Sequence, residues 1–557
     1  MARHLSILLA VVALSFFAGL GRAAITDSDE AFYAEAAREM VASGDWTTPR
    51  YNFDDRFQKP VLYYWLAALA FETVGVTEAA ARAPAALAGL GTVLLTWACG
   101  RRWLGPRPGL LAGLIVATCF GSVSLARLAL PDMPLACFVT LATWAGVEAW
   151  SPGEVDRRAG RWLVLAAVAA AAAFLTKGPV GVALPALVVL AWVGVRWATT
   201  GRRPWDGPRL RHVALAGLAF AVVAVPWYVA MVDRHGVGYL HRFFVGENLE
   251  RFATGRYNEP RSFFFYVPIV AGGLLPWTPL LAATVPGLWA RLRRVRPMGP
   301  ADWRLLLWVA LPLLFYSVSI GKQPRYVLPA LPPLALVLAA AVSARLARTD
   351  PDVGRDRLLA WCATASAGAL ALVALLLWRA SPLVAAVAPG AGPAAMGVLG
   401  MSGLALGVVA WVGRPRHVPG MLAGAAVAAW LSVYLAFYAT PAADPVKQVA
   451  AAALADREPV AASGTYRALV RNLVFYTGRP QVDLPTEAAL DAFVAAPERV
   501  HVVLAARHLN RLEARLGRQF PRLADAPYFN PAGVRLGTLL HPDPLRAFDR
   551  VVLIANR

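Results

Sequence analysis

Thirteen apolar segments recur along this chain of 557 residues, and most have the roughly 17–25 residues that a helix needs to cross a bilayer. A mean hydropathy of +0.52 with only 16% charged residues exceeds what one soluble core can bury. The sequence therefore predicts a mainly α-helical, polytopic membrane protein with about 13 transmembrane helices. The segments lie at 4–25, 79–99, 108–126, 133–150, 162–176, 179–195, 212–232, 263–288, 303–319, 327–344, 358–378, 393–413 and 419–438.

Arginines between these segments predict the orientation of the chain. Arginine-rich loops follow every second segment, and short loops rich in Lys and Arg stay on the cytoplasmic side. With the first residues inside, thirteen spans leave the C-terminus outside. The net charge of +20 then reflects topology and contact with anionic lipid, so we expect no nucleic-acid partner. Arg3 and the apolar run to Leu20 are also compatible with a cleavable signal peptide.

The chain divides into two predicted domains. Residues 1–440 form a transmembrane domain with two long outer loops, at 26–78 and 233–262. From 441 onwards charged residues become frequent and apolar runs shrink to strand length, which predicts a soluble, extracytoplasmic α/β domain over 441–557. Its predicted elements are strands from Val500 to Leu504 and from Val551 to Ile554, and a helix from His508 to Leu516. This domain either covers the outer face or helps to hold an acceptor.

The first outer loop carries the candidate catalytic carboxylates, Asp29 and Glu30. Thr26-x-x-Asp29 fits a helix capping box, and an apolar stripe at helical spacing follows it. A carboxylate at a helix start is stabilised by free backbone N–H groups, so a structural role for Asp29 is an equal alternative. Tyr33 and Tyr64 are candidate substrate-binding residues, and aromatic and charged groups at one membrane interface suit a substrate with a charged head and an apolar tail.

Lysine is rare in this chain, and its positions are informative. Of 54 basic residues only four are lysines, and Lys59, Lys177 and Lys322 all lie in predicted outer loops. A lysine beside an apolar segment often contacts lipid head groups instead of a ligand. Because arginine serves almost everywhere else, the compact ammonium at these three positions favours point-charge binding of a phosphate.

Further candidate substrate-binding residues lie in the other outer loops. Asp132 begins the fourth segment, where an ion pair with Arg127 is the alternative interpretation. Arg325 and Tyr326 share a short turn with the third of these lysines, and two cations one turn apart suit a phosphate or diphosphate. Arg251 lies in the second long loop, in an amphipathic stretch that is also typical of a surface helix.

Nine motifs across about the first 340 residues carry a family resemblance. They are Asp29-Glu30-x-x-Tyr33-Ala-Glu35, Gly44-Asp45-Trp46-x-x-Pro49, Lys59-Pro60-x-Leu62-x-Tyr64-Trp65, Arg82-x-Pro84, Leu130-x-Asp132-Met133-Pro134, Leu175-Thr176-Lys177-Gly178-Pro179, Glu247-Asn248-x-x-Arg251-Phe252, Leu275-Pro276-Trp277 and Lys322-x-Pro324-Arg325-Tyr326-x-Leu328-Pro329. As a set they closely resemble the aminoarabinose transferases of lipid A. The chain is thus similar to the wider GT-C family, which includes the protein O-mannosyltransferases and shares the plan of thirteen spans and an outer C-terminal domain.

The resemblance implies a glycosyltransferase of the bacterial inner membrane that takes a sugar from a polyprenyl-phosphate donor, such as an undecaprenyl phosphate sugar. The acceptor would be lipid A, another glycolipid or a protein on the outer face. Asp29 would be the carboxylate at the reaction centre, Lys59 and Tyr326 would contact the carrier phosphate, and Arg251 would assist. A hydroxyl acceptor needs a base within reach, whereas a phosphate acceptor needs none.

Three positions depart from the family pattern. Gln58 replaces a Glu, Asn248 replaces a His, and Phe32 stands where a basic residue is common. A divalent ion prefers carboxylate or imidazole ligands, so the two amides weaken any metal site. The sequence therefore predicts no certain cofactor, and it leaves metal binding and the identity of the sugar open.

Two other functions compete with sugar transfer. A secondary transporter or flippase also has many spans, but transporters place ionisable groups near the bilayer midplane within repeated halves. The predicted spans carry almost no charge at their centres, and the sequence has no detectable internal repeat. A non-catalytic subunit of an envelope assembly would retain the scaffold without the activity.

Overall fold

The computed structural model describes the chain except for residues 152–155, 202, 204–207, 256–258, 294–297, 349–355, 388–389, 413–414, 436–444, 530–536, 538–539 and 544–547. The described residues are mostly helical. The predicted domain boundary between 440 and 441 lies outside them, as do parts of the arginine-rich loops at 202–211, 291–296, 345–357 and 414–416.

The helices up to the second outer loop are α1 (Ala2–Val12), α2 (Asp29–Ser43), α3 (Leu62–Val74), α4 (Glu78–Trp103), α5 (Pro106–Thr118), α6 (Phe120–Ala126), α7 (Asp132–Ala149), α8 (Asp156–Lys177), α9 (Val180–Thr200) and α10 (Leu210–His235). The later helices are α11 (Gly238–Leu240), α12 (Arg251–Ala253), α13 (Tyr266–Gly273), α14 (Val285–Leu292), α15 (Pro300–Val318), α16 (Leu331–Arg348), α17 (Arg357–Arg379), α18 (Ser381–Val387), α19 (Ala391–Trp411), α20 (Val418–Val433), α21 (Val446–Ala455), α22 (Leu473–Thr477), α23 (Glu487–Val494) and α24 (Ala506–Leu516). Turns of π-helix at Ala13–Phe17 and His241–Glu250, and of 3-10 helix at Phe263–Phe265, Thr278–Thr284, Pro324–Ala330 and Pro415–His417, extend or join them.

The helices show a multi-pass membrane protein. Among the described residues, eight helices are long and apolar enough to cross a membrane, or up to ten if two bent pairs are each one span. The bent pairs are α5 with α6, at 57°, and Phe263–Gly273 with Thr278–Arg291, at 107°. Shorter or less apolar helices, α1, α7 and α20, lie at the other three predicted segments.

Helix α2 follows the first span and presents the candidate carboxylates. It ends at Gly44, whose φ of 69° is the left-handed conformation that favours glycine. Ser28 is its N-cap and accepts a hydrogen bond from the Glu30 N–H at 3.4 Å, while the Thr26 hydroxyl donates to the Glu30 carboxylate at 3.0 Å. The predicted capping box between Thr26 and Asp29 is therefore wrong. The N-cap is Ser28, and the carboxylate that accepts from the Thr26 N–H and hydroxyl is that of Glu30.

Glu30 and Arg82 form an ion pair in the protein interior. Arg82 Nε lies 2.7 Å from Glu30 Oε1, and the two side chains are 2% and 0% exposed. Arg82 also donates to main-chain carbonyls within 20–24 at 2.8–3.0 Å, and Glu30 accepts from the Ala129 N–H at 2.9 Å. The pair thus fixes α2 against α4, the end of the first span and the segment before α7.

The C-terminal region contains a five-stranded sheet. Its strand order is β4-β3-β5-β7-β6, with β3 parallel to both β4 and β5, and β7 antiparallel to β5 and β6. The strands and the two-stranded ribbon of the first outer loop are β1 (Arg50–Tyr51), β2 (Asp54–Asp55), β3 (Ala462–Tyr466), β4 (Gln481–Asp483), β5 (Val500–Ala505), β6 (Arg522–Phe529) and β7 (Phe548–Ala555). The strands predicted within β5 and β7 and the helix predicted within α24 are confirmed.

Side-chain hydrogen bonds hold the C-terminal region against the first outer loop. Asn472 Nδ2 donates to the Ile25 carbonyl at 2.9 Å, and the Ile25 N–H donates to the Tyr476 hydroxyl at 2.7 Å. The Asn52 side chain exchanges two hydrogen bonds with the Gln481 main chain, at 2.8 and 2.9 Å. These contacts bring the loops at one edge of the sheet close to α2.

Removal of one partner from the buried pair should destabilise the fold strongly. We expect Glu30→Gln to lower the free energy of unfolding by about 3–5 kcal/mol, because it leaves the Arg82 charge buried without its counter-ion. Thermal unfolding of the purified protein in detergent measures this. Glu259→Gln is the matched control, since Glu259 is 86% exposed and pairs with Arg261 only at 3.6 Å, a kind of contact worth less than about 1 kcal/mol. Equal shifts for the two variants would contradict the prediction.

Candidate active site

Asp29 begins a chain of alternating charges that spans four elements. Arg325 Nη2 donates a hydrogen bond to Asp29 Oδ2, and Arg325 Nε lies 3.7 Å from Asp132 Oδ2. Asp132 Oδ1 in turn accepts from Lys177 Nζ at 2.6 Å. Residues from α2, the start of α7, the end of α8 and the turn before α16 are thereby brought together, as the sequence predicts for these four side chains.

The geometry of helix α2 explains why Asp29, and not Glu30, reaches this chain. Consecutive residues on an α-helix point about 100° apart. Because Glu30 turns inward to Arg82, its neighbour Asp29 is directed away from the interior, where its side chain is 44% exposed. Asp29 therefore remains accessible to a ligand while it contacts Arg325.

Three guanidinium groups keep Asp29 ionised. Burial alone would raise the pKa of this carboxyl, but Arg325, Arg56 and Arg471 outweigh it and hold the pKa below its ordinary value. A carboxylate with a low pKa is a weak base. It is better suited to stabilise positive charge than to deprotonate a hydroxyl.

Arg56 is a site residue that the sequence did not predict. Its guanidinium lies 4.1 Å from the centroid of the Phe32 ring and within electrostatic reach of Asp29 and Tyr64. Tyr64 stacks on Tyr33 with ring centroids 5.5 Å apart, and both rings are buried. Tyr33 and Tyr64 thus form an aromatic wall behind the carboxylate. Arg56 follows two aspartates in a charged loop, a context typical of a solvent-exposed surface.

A cavity of about 570 Å³ opens beside the charge chain. Lys59, Lys177, Arg251 and Tyr326 line it, so three cations and a phenol face one space. The remaining wall is mainly apolar and includes Val180, Ala183, Phe244, Leu249, Phe252, Phe315 and Tyr316. A cationic end with apolar walls fits a phosphate that carries a long hydrocarbon chain.

The pKa values of the cavity cations Lys59 and Arg251 are shifted in opposite directions. Burial lowers the pKa of Lys59 to about 7, and the charges of Arg251 and Lys177 add to this effect. Burial also opposes the charge of Arg251, but Glu247, whose Oε2 lies 2.7 Å away, and Tyr326 raise its pKa. Lys59 is therefore the group whose charge responds most to an incoming anion.

The turn at Lys177 packs closely under the second outer loop. Lys177 Nζ lies 4.7 Å from the centroid of the Tyr326 ring. Gly178 has a φ of 76°, and a Cβ at this position would approach Phe243 Cζ to 2.9 Å. The Asn248 amide donates to the Phe243 carbonyl at 2.8 Å. A residue other than glycine would push the loop away from the cavity.

Two predicted site residues, Glu30 and Lys322, belong neither to the cavity lining nor to the surroundings of Asp29. Glu30, which the sequence predicts as a second catalytic carboxylate, is fully buried in its pair with Arg82. Lys322 is 6% exposed, and its ammonium donates to the main-chain carbonyls of Ser319 and, at 3.2 Å, Arg261. Burial lowers the pKa of Lys322. Its contacts join the second outer loop to the turn before Arg325. Its predicted contact with substrate stays a prediction.

The charged residues of this site do not fit a divalent cation. Asp29 and Asp132 face guanidinium and ammonium groups, which engage the oxygen atoms that a metal would need. No group of three or more His, Cys, Asp or Glu residues suited to a metal occurs within the described part of the chain. Asn248 stands where the resembled family has a His, and its amide donates to the main-chain carbonyl of Phe243.

Comparisons with known proteins find similar sequences among sugar transferases. A family model described as dolichyl-phosphate-mannose-protein mannosyltransferase matches residues 58–228. The undecaprenyl phosphate-alpha-4-amino-4-deoxy-L-arabinose arabinosyl transferase of Edwardsiella ictaluri is 35% identical, over 56% of this chain and 55% of its own length. The same transferase of Pseudomonas aeruginosa is 34% identical, over 61% of this chain and 60% of its own length. The matches thus span little more than half the length of these relatives.

Solved structures extend the likeness to the whole fold. ArnT from Cupriavidus metallidurans, bound to undecaprenyl phosphate, superposes over 99% of this chain and 98% of its own, with a TM-score of 0.72 and 24% identity. The archaeal oligosaccharyltransferase AglB from Archaeoglobus fulgidus covers 95% of this chain and 73% of its own, with a TM-score of 0.53 and 13% identity. The predicted resemblance is confirmed: this chain is a multi-pass membrane protein that has the fold of ArnT and is similar in sequence to the aminoarabinose transferases.

Proposed function

We propose that this protein transfers a sugar from an undecaprenyl-phosphate-type donor to an acceptor of the cell envelope, such as lipid A, another glycolipid or a protein. The observation that carries the proposal is the cavity in which Lys59, Lys177, Arg251 and Tyr326 meet next to the Asp29–Arg325 pair. The relatives are named for such a donor, and ArnT from Cupriavidus metallidurans binds undecaprenyl phosphate.

The cations have a direct role in the proposed reaction. An oxygen of the acceptor attacks the anomeric carbon, and the bond from that carbon to the carrier phosphate breaks with its electron pair on the phosphate. Lys59, Lys177 and Arg251 stabilise the charge that the leaving phosphate gains. Tyr326 contacts the same phosphate, and the apolar wall holds the polyprenyl chain.

Asp29 acts on the other side of the sugar. Its carboxylate stabilises the positive charge that develops at the anomeric carbon, with Arg325, Arg56 and Asp132 fixing its position. Its low pKa favours an acceptor that is already anionic, such as a phosphate, because such an acceptor needs no base. Tyr33 and Tyr64 position Arg56, and Glu30 and Lys322 have structural roles.

The topology completes the proposal. All thirteen predicted segments span the membrane, the N-terminus is cytoplasmic, and residues 1–440 form the transmembrane domain. Residues 441–557 form an extracytoplasmic α/β domain. In support, the Arg471 N–H donates to Asp27 at 2.6 Å, so the C-terminal region lies on the same side of the membrane as the first outer loop.

Loss of the Asp29 charge should slow sugar transfer strongly and leave binding of the carrier intact. We expect Asp29→Asn to slow transfer from undecaprenyl-phosphate-aminoarabinose to diphosphoryl lipid A by about 10²–10³-fold, the usual effect of removing one charge-stabilising group. Binding of undecaprenyl phosphate should persist. Asp54→Asn, an exposed carboxylate in the same loop, is the control and should keep full activity. Unchanged transfer by Asp29→Asn would favour the non-catalytic subunit.

Carrier binding should weaken as pH rises. The pKa of Lys59 is about 7 in the free protein, and a bound phosphate raises it, so binding above that pH takes up one proton. Between about pH 7.5 and 9, where the phosphate ligand keeps a constant charge, the affinity for undecaprenyl phosphate should fall by up to about tenfold per pH unit. Titration calorimetry in detergent measures it. Lys59→Arg keeps its charge over this range and should flatten the profile, whereas an equally steep profile would exclude Lys59.

A further inference from the structure

One edge of the C-terminal sheet concentrates positive charge. Strands β3 and β5 are parallel neighbours, with Tyr466 opposite Leu504, so both end at the same edge. Arg467 follows β3 directly, and Arg507 and Arg511 lie one helical turn apart on α24, which follows β5. Ligands of open α/β sheets bind outside the carboxyl ends of the strands. We name this surface the arginine edge, and it consists of Arg467, Arg471, Arg507 and Arg511.

The surroundings of His508 show that three of these arginines lie close together. Its ring packs edge-on against Tyr466 with centroids 5.1 Å apart, and the Arg467 guanidinium lies 5.1 Å from the centroid of the same tyrosine. Partial burial lowers the pKa of His508, and the charges of Arg507, Arg467 and Arg511 lower it further. Three guanidinium groups are therefore near one imidazole.

Little negative charge offsets the arginine edge. Arg507 Nε lies 3.2 Å from Asp549. Within the described ranges, no carboxylate oxygen forms an ion pair within 4.0 Å of the guanidinium groups of Arg467, Arg471 or Arg511, and all four arginines are exposed. The Asp27 carboxylate contacts the main-chain N–H of Arg471 and not its guanidinium. Like charges gathered in this way repel one another, so an anion at the edge would be stabilised. Guanidinium groups bind phosphate oxygens in pairs of parallel hydrogen bonds.

Arg471 connects this edge to the active site. Its N–H donates to Asp27 at 2.6 Å, and its carbonyl accepts from the Tyr51 hydroxyl at 3.1 Å, so the first outer loop fixes its main chain. Its guanidinium lies 5.5 Å from the centroid of Phe32 and contributes to the field at Asp29. The arginine edge thus ends beside the proposed reaction centre.

The turn that follows β3 and carries Arg467 has a strained backbone. Arg467 and Leu469 have φ values of 56° and 51°, in the left-handed region that is unfavourable for a residue other than glycine. Leu469 is fully buried, and its packing holds the turn. Such backbone is retained where the surrounding structure over-determines it.

We propose that the arginine edge binds a phosphate of the acceptor and holds the acceptor beside Asp29. The proposal rests on the proposed function, and it assigns the C-terminal region to acceptor recognition, separate from the carrier cavity. The expected occupant is an envelope glycolipid whose head group bears phosphate. Lipid chains of the acceptor remain in the outer leaflet, while the head group spans from Arg511 and Arg467 to Arg471.

Acceptor and carrier binding should separate in variants of the full-length protein. In phosphatidylcholine nanodiscs, Arg467→Gln/Arg511→Gln should weaken binding of diphosphoryl lipid A at least about tenfold and leave undecaprenyl phosphate binding unchanged. Arg471→Gln, a single change, should weaken lipid A binding in the same direction. Arg515→Gln is the charge-matched control on α24, since Arg515 pairs with Asp491 and Glu487 at 2.6 and 2.9 Å and should change affinity less than twofold.

Each alternative outcome decides against a different claim. Lipid A affinity that is unchanged in the double variant, or equally reduced in Arg515→Gln, overturns the arginine edge as the acceptor site. An equal loss of binding to phosphatidylglycerol vesicles would assign the edge to general membrane contact and also overturn it. Failure of the wild-type protein to bind undecaprenyl phosphate would instead count against the proposed function.

Discussion

The buried ion pair between Glu30 and Arg82 is the interaction on which the active site depends. Two charges taken out of water are costly unless their remaining hydrogen-bonding groups are also satisfied. Here Arg82 uses carbonyls within 20–24 and Glu30 uses the Ala129 N–H. The pair therefore joins four parts of the chain that meet under α2, and it determines the direction in which Asp29 points.

Above this pair, charges alternate instead of accumulating. Asp29, Arg325, Asp132 and Lys177 form a balanced row, so each group is held by its neighbours before any ligand arrives. Fixed groups of this kind need little reorganisation when charge develops in a transition state. In the cavity Arg251 is paired with Glu247, so the excess positive charge there is that of Lys59, which a bound phosphate would balance.

The sequence predicts the helices and strands better than it predicts which side chains contact each other. Apolar length locates the helices, and the motifs identify Asp29, Asp132, Lys177 and Arg325, which do meet. Pattern alone does not separate Asp29 from Glu30, because a difference of about 100° around one helix decides which carboxylate is buried. Arg56 and Arg471 are equally hidden in the sequence. Both lie in charged, loop-like stretches, and only tertiary packing across more than 400 residues, as in the Arg471 to Asp27 hydrogen bond, brings the second of them to α2.

The walls of the cavity are coupled through main chain as well as side chains. The Ile320 N–H donates to the Phe252 carbonyl at 2.9 Å, and Lys322 reaches the Arg261 carbonyl. The second outer loop, which carries Arg251, is therefore attached to the turn that carries Arg325 and Tyr326. Because hydrogen bonds fix these two segments to each other, a displacement of one segment would also displace the other, and Arg251 and Arg325 would move together. The cavity lining and the Asp29–Arg325 pair are in this way built on one connected scaffold, with Lys322 as its link.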